Sequence, residues 1–255
     1  MILTLVNSHR FLWTPEQATP ALWLDAADAD TITESGGDIS QWDDKSGNNR
    51  HATQGTPGNE PSYTTPGLNG LGVVSFNGSP ECLDVDLDFL ASVDHSAFIV
   101  ITDVTAHSNI YGAATGSAGA NSLHVGFIGG PNRYRMNYWG NDWNQAFGSY
   151  VEGDPWILEY LWDTGAYKTI YATGNFEGDD NTPLAGTIGT MAGGGRIVNV
   201  VGQGYTNGDI GEIVMFTSIL STVDRQRMEG YLAWKWGLQG DLPGGHPYEN
   251  EPPVG

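Results

Sequence analysis

The stretch RYRMNYWG, residues 133–140, indicates most directly which fold this chain adopts. Apolar and polar side chains alternate along it. One face carries Tyr134, Met136 and Tyr138, and the other carries Arg133, Arg135, Asn137 and Trp139. Alternation with a period of two residues is the pattern of a β-strand that buries one face. The stretch therefore predicts a half-buried strand.

Similar short runs recur along the chain, rich in β-branched and aromatic residues and separated by Gly, Asn or Asp. They are LGVVSF (71–76), SAFIVITDVT (96–105), SLHVGFIG (122–129), WILEYLWDT (156–164), YKTIYATG (167–174), RIVNVVGQ (196–203) and DIGEIVMFTS (209–218). WDTGAYK (162–168) has the length and the glycine of a hairpin connection. Many short strands with little helical periodicity between them predict an all-β, antiparallel jelly-roll sandwich.

One helix interrupts this pattern, in STVDRQRMEGYLAWKWG (221–237). Ser221 occupies an N-cap position, Asp224 follows three residues later, and Gly237 provides the stop. The apolar face carries Met228, Leu232 and Trp236, widened by Tyr231 and Trp234. This amphipathic pattern predicts an α-helix packed on the sandwich.

Composition and charge exclude several classes of protein. The chain has 255 residues, of which 39% are hydrophobic, enough for one substantial core. Its 30 Asp and Glu against 10 Lys and Arg give a formal charge of −20, which repels phosphate backbones and anionic membranes. No run reaches the length of a membrane span. We therefore expect neither nucleic acid as a partner nor membrane insertion.

The segment QWDDKSGNNRHATQ (41–54) is open to three interpretations, as an active site, a metal loop or a turn. Asp43 or Asp44 and Ser46 can accept hydrogen bonds from backbone amides two or three residues further on, and Gly47-Asn48 can adopt a positive φ. Loop chemistry accounts for every residue type present, which favours the turn. The single cysteine, Cys82, lies in a strand-like setting that favours a buried structural thiol.

The ends of the chain differ from its middle. We expect an N-terminal arm over residues 1–20, one domain over 21–238 and a Pro/Gly-rich tail over 239–255. The apolar run at the N-terminus is interrupted by Asn7 and is too short for a signal peptide, so folding in the cytoplasm where the chain is made is expected.

Several segments in order resemble a known superfamily. They are TPEQATPALWLDAADADTIT (14–33), ISQWDDKSGNNRHATQ (39–54), PSYTTPGLNGLGVVSFNG (61–78), GDIGEIVMF (208–216), MEGYLAWKWGL (228–238) and LPGGHPYENEPP (242–253). This order resembles the concanavalin A-like lectin/glucanase superfamily, in the laminin-G-like variety found in bacteriophage tail and virion proteins and in bacterial surface proteins. The resemblance implies two face-to-face antiparallel sheets of six or seven strands.

The resemblance raises the question of catalysis. Glucanases of that superfamily use paired glutamates in an E-x-D-x-x-E pattern. The chain has only Glu212 in the comparable stretch, and Glu159 stands alone in its strand. No G-x-S-x-G elbow selects a nucleophile either. The sequence therefore predicts a protein that is not an enzyme, with a polysaccharide hydrolase or lyase as an alternative.

Two acidic clusters could bind calcium, as many domains of the resembled family do. Asp84, Asp86 and Asp88 share one face of a strand, and the turn EGDDN contains Glu177, Asp179, Asp180 and Asn181. Hard cations require several oxygen ligands, but neither cluster has the glycine of an EF-hand loop. A solvated acidic face is the simpler interpretation, so we expect no cofactor, with calcium as the alternative.

The segment NYWGNDWNQAFGSY (137–150) combines aromatic rings with amide and carboxylate side chains. Aromatic rings can stack on the C–H faces of sugars while planar polar groups bond their hydroxyls. The glycan-binding candidates are Tyr138, Trp139, Asn141, Asp142, Trp143 and Asn144. The competing interpretation is that these rings belong to the core and that the polar residues form the intervening loop.

Together these features predict a non-catalytic, lectin-like virion surface protein, a bacteriophage decoration, fibre or tail component that attaches to other virion proteins and recognises host glycan. A bacterial carbohydrate-binding or adhesion module is the alternative. A homo-oligomer, with a trimer favoured, is expected from the cyclic symmetry of such assemblies.

Overall fold

A computed structural model describes residues 12–78, 80–106, 109–116, 119–128, 133–138, 141–164, 167–181, 187–198, 200 and 204–255. Within these residues the chain forms seventeen β-strands and one α-helix, and all the strand pairings are antiparallel. This confirms the predicted all-β sandwich with a single helix near its C-terminal end. In the same residues no helix has both the length and the apolarity needed to cross a bilayer.

The strands follow one another in chain order. They are β1 (Leu22–Asp25), β2 (Ile32–Ser35), β3 (Asp38–Trp42), β4 (Ala52–Thr53), β5 (Ser62–Thr64), β6 (Val73–Asn77), β7 (Leu83–Val85), β8 (His95–Ala106), β9 (Asn109–Ala113), β10 (His124–Ile128), β11 (Arg133–Tyr138), β12 (Asn141–Ala146), β13 (Trp156–Trp162), β14 (Lys168–Ala172), β15 (Asn175–Asp180), β16 (Gly195–Ile197) and β17 (Asn207–Phe216).

The pairings arrange the strands in two layers. In the first layer β17 pairs on one side with β1 and β6 and on the other with β8, and the order continues through β13 and β14 to β15. The second layer has the order β4, β7, β16, β9, β10, β11, β12. Strands β3 and β5 link β4 to β6, so hydrogen bonding is continuous from one layer to the other.

The inward faces of both layers form one hydrophobic core. Strand β11 shows the reason, because Tyr134, Met136 and Tyr138 point into this core while Arg133 lies exposed on the opposite face. The predicted alternation of residues 133–138 is therefore confirmed, and Trp139 lies outside the described residues. Burying aromatic side chains of this size contributes about 1.5–3 kcal/mol each before the entropy of ordering is counted.

Helix α1 (Thr222–Trp236) covers the outer face of the first layer, as the sequence predicted. The Ser221 hydroxyl accepts the Asp224 amide at 3.2 Å, and Gly237 ends the helix at φ 78°. A second, smaller core forms where Met228, Leu232 and Trp236 meet the strands. Gly211 of β17 permits this approach, since a Cβ there would lie 2.7 Å from the Trp236 ring.

The described ends of the chain pack on the domain. Leu12 forms an antiparallel bridge with Val254, and the Trp13 amide donates to the Pro253 carbonyl at 3.0 Å. The Trp234 indole donates to the Tyr248 carbonyl at 2.8 Å. Residues 12–20 and 239–255, predicted to be part of an arm and a tail, therefore contact each other and α1.

The structure differs from the sequence-based expectation in one segment that matters for function. The interpretation of residues 137–150 as a core strand followed by a loop is wrong for Asn141–Ala146, which form β12. These residues pair with β11 along its whole length, from Arg133 opposite Ala146 to Tyr138 opposite Asn141. Ladder hydrogen bonds to a neighbouring strand outweigh the low strand propensity of an Asn-rich sequence.

Candidate functional site

The segment 41–54 folds as a turn built around one carboxylate. Asp44 accepts hydrogen bonds from the Trp23 amide at 3.0 Å, the Ser46 amide at 2.9 Å and hydroxyl at 2.7 Å, and the Arg50 amide at 3.0 Å. Both of its oxygens are thus committed to the chain. This arrangement confirms the turn interpretation and leaves Asp44 no role toward a ligand.

A buried carboxylate, Glu212, joins α1 to the first layer. It accepts from Trp23 Nε1 at 2.7 Å, Tyr231 Oη at 3.0 Å, Trp236 Nε1 at 2.8 Å and Lys235 Nζ at 2.8 Å. Burial raises the pKa of Glu212, although the charge of Lys235 opposes the change. The donors reach this β17 carboxylate from β1 and from α1, which makes it an anchor of the fold.

A second buried cluster lies beneath α1. Glu159 of β13 and Glu229 of α1 meet at Arg225, which bonds Glu229 and lies 3.6 Å from Glu159. His246 of the C-terminal segment completes the cluster, with Nε2 2.7 Å from Glu229. Burial, reinforced by the charge of Glu229, raises the pKa of Glu159 well above its usual range.

We expect the Glu159→Gln variant to gain stability relative to the parent protein as pH rises. In the unfolded chain Glu159 loses its proton near pH 4.5, whereas in the fold it keeps the proton to higher pH. Above pH 4.5 this group therefore makes folding less favourable, by about 1.4 kcal/mol for each unit of pKa difference. Glutamine at this position has no carboxyl group to titrate. Its side-chain carbonyl can still accept the Gly174 amide, which in the parent protein lies 3.2 Å from the Glu159 carboxylate.

The measurement is urea unfolding of both proteins at pH 5 and pH 8. The advantage of Glu159→Gln over the parent should be larger at pH 8, and the exposed Glu152→Gln variant should show no such difference. An advantage that is equal at the two pH values would refute the assignment of a raised pKa to Glu159.

The carboxylates of the two acidic clusters considered for calcium have partners within the chain, and the predicted strand carrying Asp84, Asp86 and Asp88 ends at Val85. Asp84 pairs with Arg196 at 2.7 Å, and the Asp88 carboxylate accepts the Met191 amide at 2.6 Å. Glu177 accepts the amides of Gly148 and Ser149 at 2.5 and 2.9 Å. Within the described residues no three His, Cys, Asp or Glu side chains come together to hold a metal ion.

Of the six predicted glycan-binding residues, the five that the structure describes lie on β11 and β12, and the two faces of this hairpin divide them. Tyr138 is 3% exposed in the core, and Trp143 is half-buried against the same core. Asp142 and Asn144 point outward, on the face opposite Trp143. Trp139 lies outside the described residues. The hairpin therefore presents amide and carboxylate groups outward while the rings of Tyr138 and Trp143 pack inward.

Asn141 holds the inner side of this hairpin. Its side chain donates to the Tyr138 hydroxyl at 3.3 Å and accepts from Lys168 Nζ at 2.7 Å. Lys168 comes from β14 of the other layer and also donates to the Met136 carbonyl at 2.9 Å. Burial lowers the pKa of Lys168 to about 8. This lysine clamps the two layers together at the end of the hairpin.

Strand register extends the outward face of the hairpin across the second layer. The register partners along one row are Thr53, Asp84, Arg196, Gly112, His124, Asn137 and Asp142. A parallel row carries Gly126, Arg135 and Asn144. Arg133 precedes Arg135 by two residues on β11 and therefore lies on the same face. We call these two rows with Arg133 the polar face. From Arg196 to Asp142 it crosses four strand spacings, about 19 Å.

The polar face is less acidic than the rest of the molecule. It carries Arg133, Arg135 and Arg196 against Asp84 and Asp142, whereas the whole chain has three acidic residues for each basic one. Burial lowers the pKa of His124, so the ring is neutral at neutral pH. Its Nδ1 lies 2.5 Å from the Ser122 carbonyl and donates to it, so in the neutral ring Nε2 is the acceptor.

Two members of the polar face are almost fully buried. His124 and Asn137 are each 2% exposed, and Asn137 fixes β12 by accepting the Trp143 amide at 2.6 Å and donating to Asn144 at 3.2 Å. Arg135 donates to Asn109 Oδ1 at 3.5 Å. The hydrogen bond from Asn137 fixes the orientation of the outward Asn144 amide, which preorganises it for a ligand.

Sequence reasoning placed Asp142 and Asn144 among the site candidates but missed Arg135, His124 and Arg196. The alternation in 133–138 assigned Arg135 to the polar side of its strand, so part of the signal was present. Nothing local indicated that β10 and β16 would align with it, because strand register depends on residues distant in the chain.

None of the known protein-family models matches the sequence, and no curated protein matches it either. Solved structures do share its fold. Trypanosoma rangeli sialidase in complex with sialic acid matches with a TM-score of 0.53 and 15% identity, covering 86% of this chain and 33% of the sialidase chain.

Two binding domains match similarly. The botulinum neurotoxin serotype D ligand binding domain in complex with N-acetylneuraminic acid has a TM-score of 0.58 at 11% identity, covering 83% of this chain and 50% of that chain. The binding domain of Paraclostridial Mosquitocidal Protein 1 has a TM-score of 0.59 at 11% identity, covering 84% and 52%. The chain spans from a third to about half of the length of these three proteins, and such low identities show a shared fold alone.

Proposed function

We propose that this protein is a carbohydrate-binding module that recognises a carboxylate-bearing sugar through the polar face. The observation that carries the proposal is that the exposed Arg133 shares one face of β11 with Arg135, whose register partner is Asn144, while His124, Asn137 and Asp142 lie in the next row. An arginine fork can bind a carboxylate with two hydrogen bonds, and amides can bind sugar hydroxyls.

The fold comparisons support this choice of ligand. The sialidase and the serotype D toxin domain are each described in complex with sialic acid, an acidic sugar. We propose, on the resemblance of its motifs, that this chain belongs to the concanavalin A-like superfamily in its laminin-G-like variety. Fold likeness alone does not transfer a ligand, so the arginines of the polar face carry the argument.

We propose a non-catalytic role. A retaining glycosidase places two carboxyl groups about 5 Å apart on either side of the scissile bond. Two pairs of carboxyl groups lie beside α1, and each pair is buried around one cation. Glu159 and Glu229 share Arg225, and Asp25 and Glu212 share Lys235. A sugar has no place between them.

Binding of 3′-sialyllactose tests the proposal, with lactose as the comparison. We expect measurable affinity for 3′-sialyllactose, at least tenfold weaker affinity for lactose, and at least a tenfold loss in the Arg133→Ala variant. A tenfold change corresponds to about 1.4 kcal/mol, just below the lower end of the contribution of a hydrogen bond to a charged group, which is about 1.5–3 kcal/mol. Titration calorimetry measures all three values.

Arg227→Ala provides the matched control, because Arg227 is a surface arginine on α1 that pairs with Asp224 at 3.1 Å. It should bind 3′-sialyllactose like the parent protein. Equal affinity for lactose and 3′-sialyllactose, or an Arg133→Ala variant that binds normally, would exclude the polar face as the site of an acidic sugar.

The biological setting of the proposal is a virion surface, where the module would act as a bacteriophage decoration, fibre or tail component made in the host cytoplasm. Its partners there would be other virion proteins and cell-surface glycan, in a homo-oligomer such as a trimer. Residues 12–20 and 239–255 would contribute to such contacts as parts of the folded surface. Neighbouring capsid and tail genes would support this setting, and neighbouring secretion or adhesion genes would favour a bacterial module.

A further inference from the structure

A groove on the opposite side of the molecule remains outside the proposed function. It lies on the outer face of the first layer, where β13, β14 and β15 meet the start of α1. Its volume is about 270 Å³. The residues that matter to its chemistry are Tyr167, Tyr171, Phe176, Asp179, Asn181 and Arg225. We call it the aromatic groove.

Phe176 is the most unusual of these residues, because 59% of its surface is exposed on a β-strand. The ring meets Tyr171 at a centroid distance of 5.6 Å and an interplanar angle of 69°. Register places the two rings opposite each other on β14 and β15. An exposed aromatic ring held by a second ring is a rigid platform, which loses little entropy when a ligand stacks on it.

Planar polar groups lie near this platform. The amide of Asn181 donates to the carboxylate of Asp179, which fixes both groups, and Thr169 lies opposite Asp179 across the strand pair. A carboxylate and an amide side by side offer acceptors and donors to vicinal hydroxyl groups. Together with an exposed ring, this is the combination that a pyranose requires.

The charge of Arg225 is already balanced. Its guanidinium lies 4.0 Å from the centroid of the Tyr171 ring, bonds Glu229 and approaches Glu159. Asp179 adds a negative charge to the groove wall. An anionic sugar would meet repulsion from Asp179 without an available counter-charge from Arg225, so the groove favours a neutral sugar. Its volume suits one sugar unit rather than a folded partner.

We propose that the aromatic groove is a second carbohydrate site, which binds one neutral pyranose by stacking on Phe176 and by hydrogen bonds to Asp179 and Asn181. This site is separate from the polar face in position and in ligand charge. The protein would then contact two sugars of different chemistry on opposite sides of one sandwich.

Saturation-transfer and titration NMR with methyl β-galactopyranoside, methyl α-glucopyranoside and methyl α-mannopyranoside test the inference on the full chain. We expect binding of at least one of the three, and at least a tenfold weaker affinity in the Phe176→Ala variant. Val151→Ala is the matched control, since Val151 is 54% exposed outside the groove, and it should bind like the parent protein. Absence of binding by all three sugars, or unchanged affinity in Phe176→Ala, would overturn the inference.

Two further measurements separate this site from the polar face. Arg133→Ala should leave pyranoside binding unchanged, and Phe176→Ala should leave 3′-sialyllactose binding unchanged. If Phe176→Ala abolished binding of both ligands while the variant stayed folded by circular dichroism, the claim of two separate sites would be wrong. Absence of sialyllactose binding, by contrast, would affect the polar face alone.

Discussion

Replacing Glu212 with alanine is expected to lower the free energy of unfolding by about 3–5 kcal/mol, the range found when one partner of a buried charge pair is removed. The variant loses the common acceptor of Trp23, Tyr231, Lys235 and Trp236. Two indole N–H groups and a phenol would then be left without that acceptor beneath α1. Leaving such donors buried costs more than the hydrogen bonds themselves contribute.

Urea unfolding followed by tryptophan fluorescence measures this loss, because Trp23 and Trp236 both contact the altered site. The stability of Glu212→Gln should lie between that of the parent and that of Glu212→Ala. The glutamine carbonyl can still accept hydrogen bonds, but its NH₂ group, itself a donor, would lie against other donors. Glu152→Ala, at an exposed position, should change stability by less than about 0.5 kcal/mol. A Glu212→Ala variant as stable as Glu152→Ala would show that the carboxylate does not anchor the helix.

The second large effect is expected at Asp44, where alanine should reduce the free energy of unfolding by about 2–4 kcal/mol. Hydrogen bonds to a charged group contribute about 1.5–3 kcal/mol each, and several bonds to one carboxylate do not add in full. The carboxylate bonds the Trp23 amide of β1 as well as Ser46 and Arg50 within the turn. Its removal would weaken the attachment of β1 to the turn, which the Lys45 amide would still hold through the Trp23 carbonyl, and would leave the buried Trp23 amide unsatisfied.

Asp43 is the matched control because it is the neighbouring carboxylate in the same turn. It accepts from Gln41 at 2.7 Å and lies 2.9 Å from His51, with its side chain 36% exposed. Solvent can replace these contacts, so Asp43→Ala should cost less than about 1 kcal/mol. Equal losses from the two substitutions, measured by the same urea titration, would contradict the assignment of Asp44 as the centre of the turn.

Features that depend on neighbouring residues in the chain could be predicted from the sequence. The period-two pattern of 133–138, the cap at Ser221, the stop at Gly237 and the turn at 41–54 all rest on local geometry. Sequence reasoning missed several short strands because it depends on such local patterns. Strands such as β4 and β5 have two or three residues, too few to show a period, and form because partners on either side supply hydrogen bonds.

The predicted site illustrates where local reasoning stops. The composition of 137–150 suggested rings and amides presented together, but β12 turns Trp143 inward and Asp142 and Asn144 outward. Which face is buried follows from the pairing with β11 and not from the composition of the segment.

The sequence by itself determined that this chain is an all-β sandwich with one capped helix, because apolar alternation and caps act over one to four residues. Only the tertiary structure decided which side chains meet. The donors around Glu212 come from positions 23, 231, 235 and 236. The polar face is assembled from seven strands, and the aromatic groove from three strands and a helix. The physical reason is that strand order and register arise from burying one shared core, so contacts between distant segments depend on the whole chain at once.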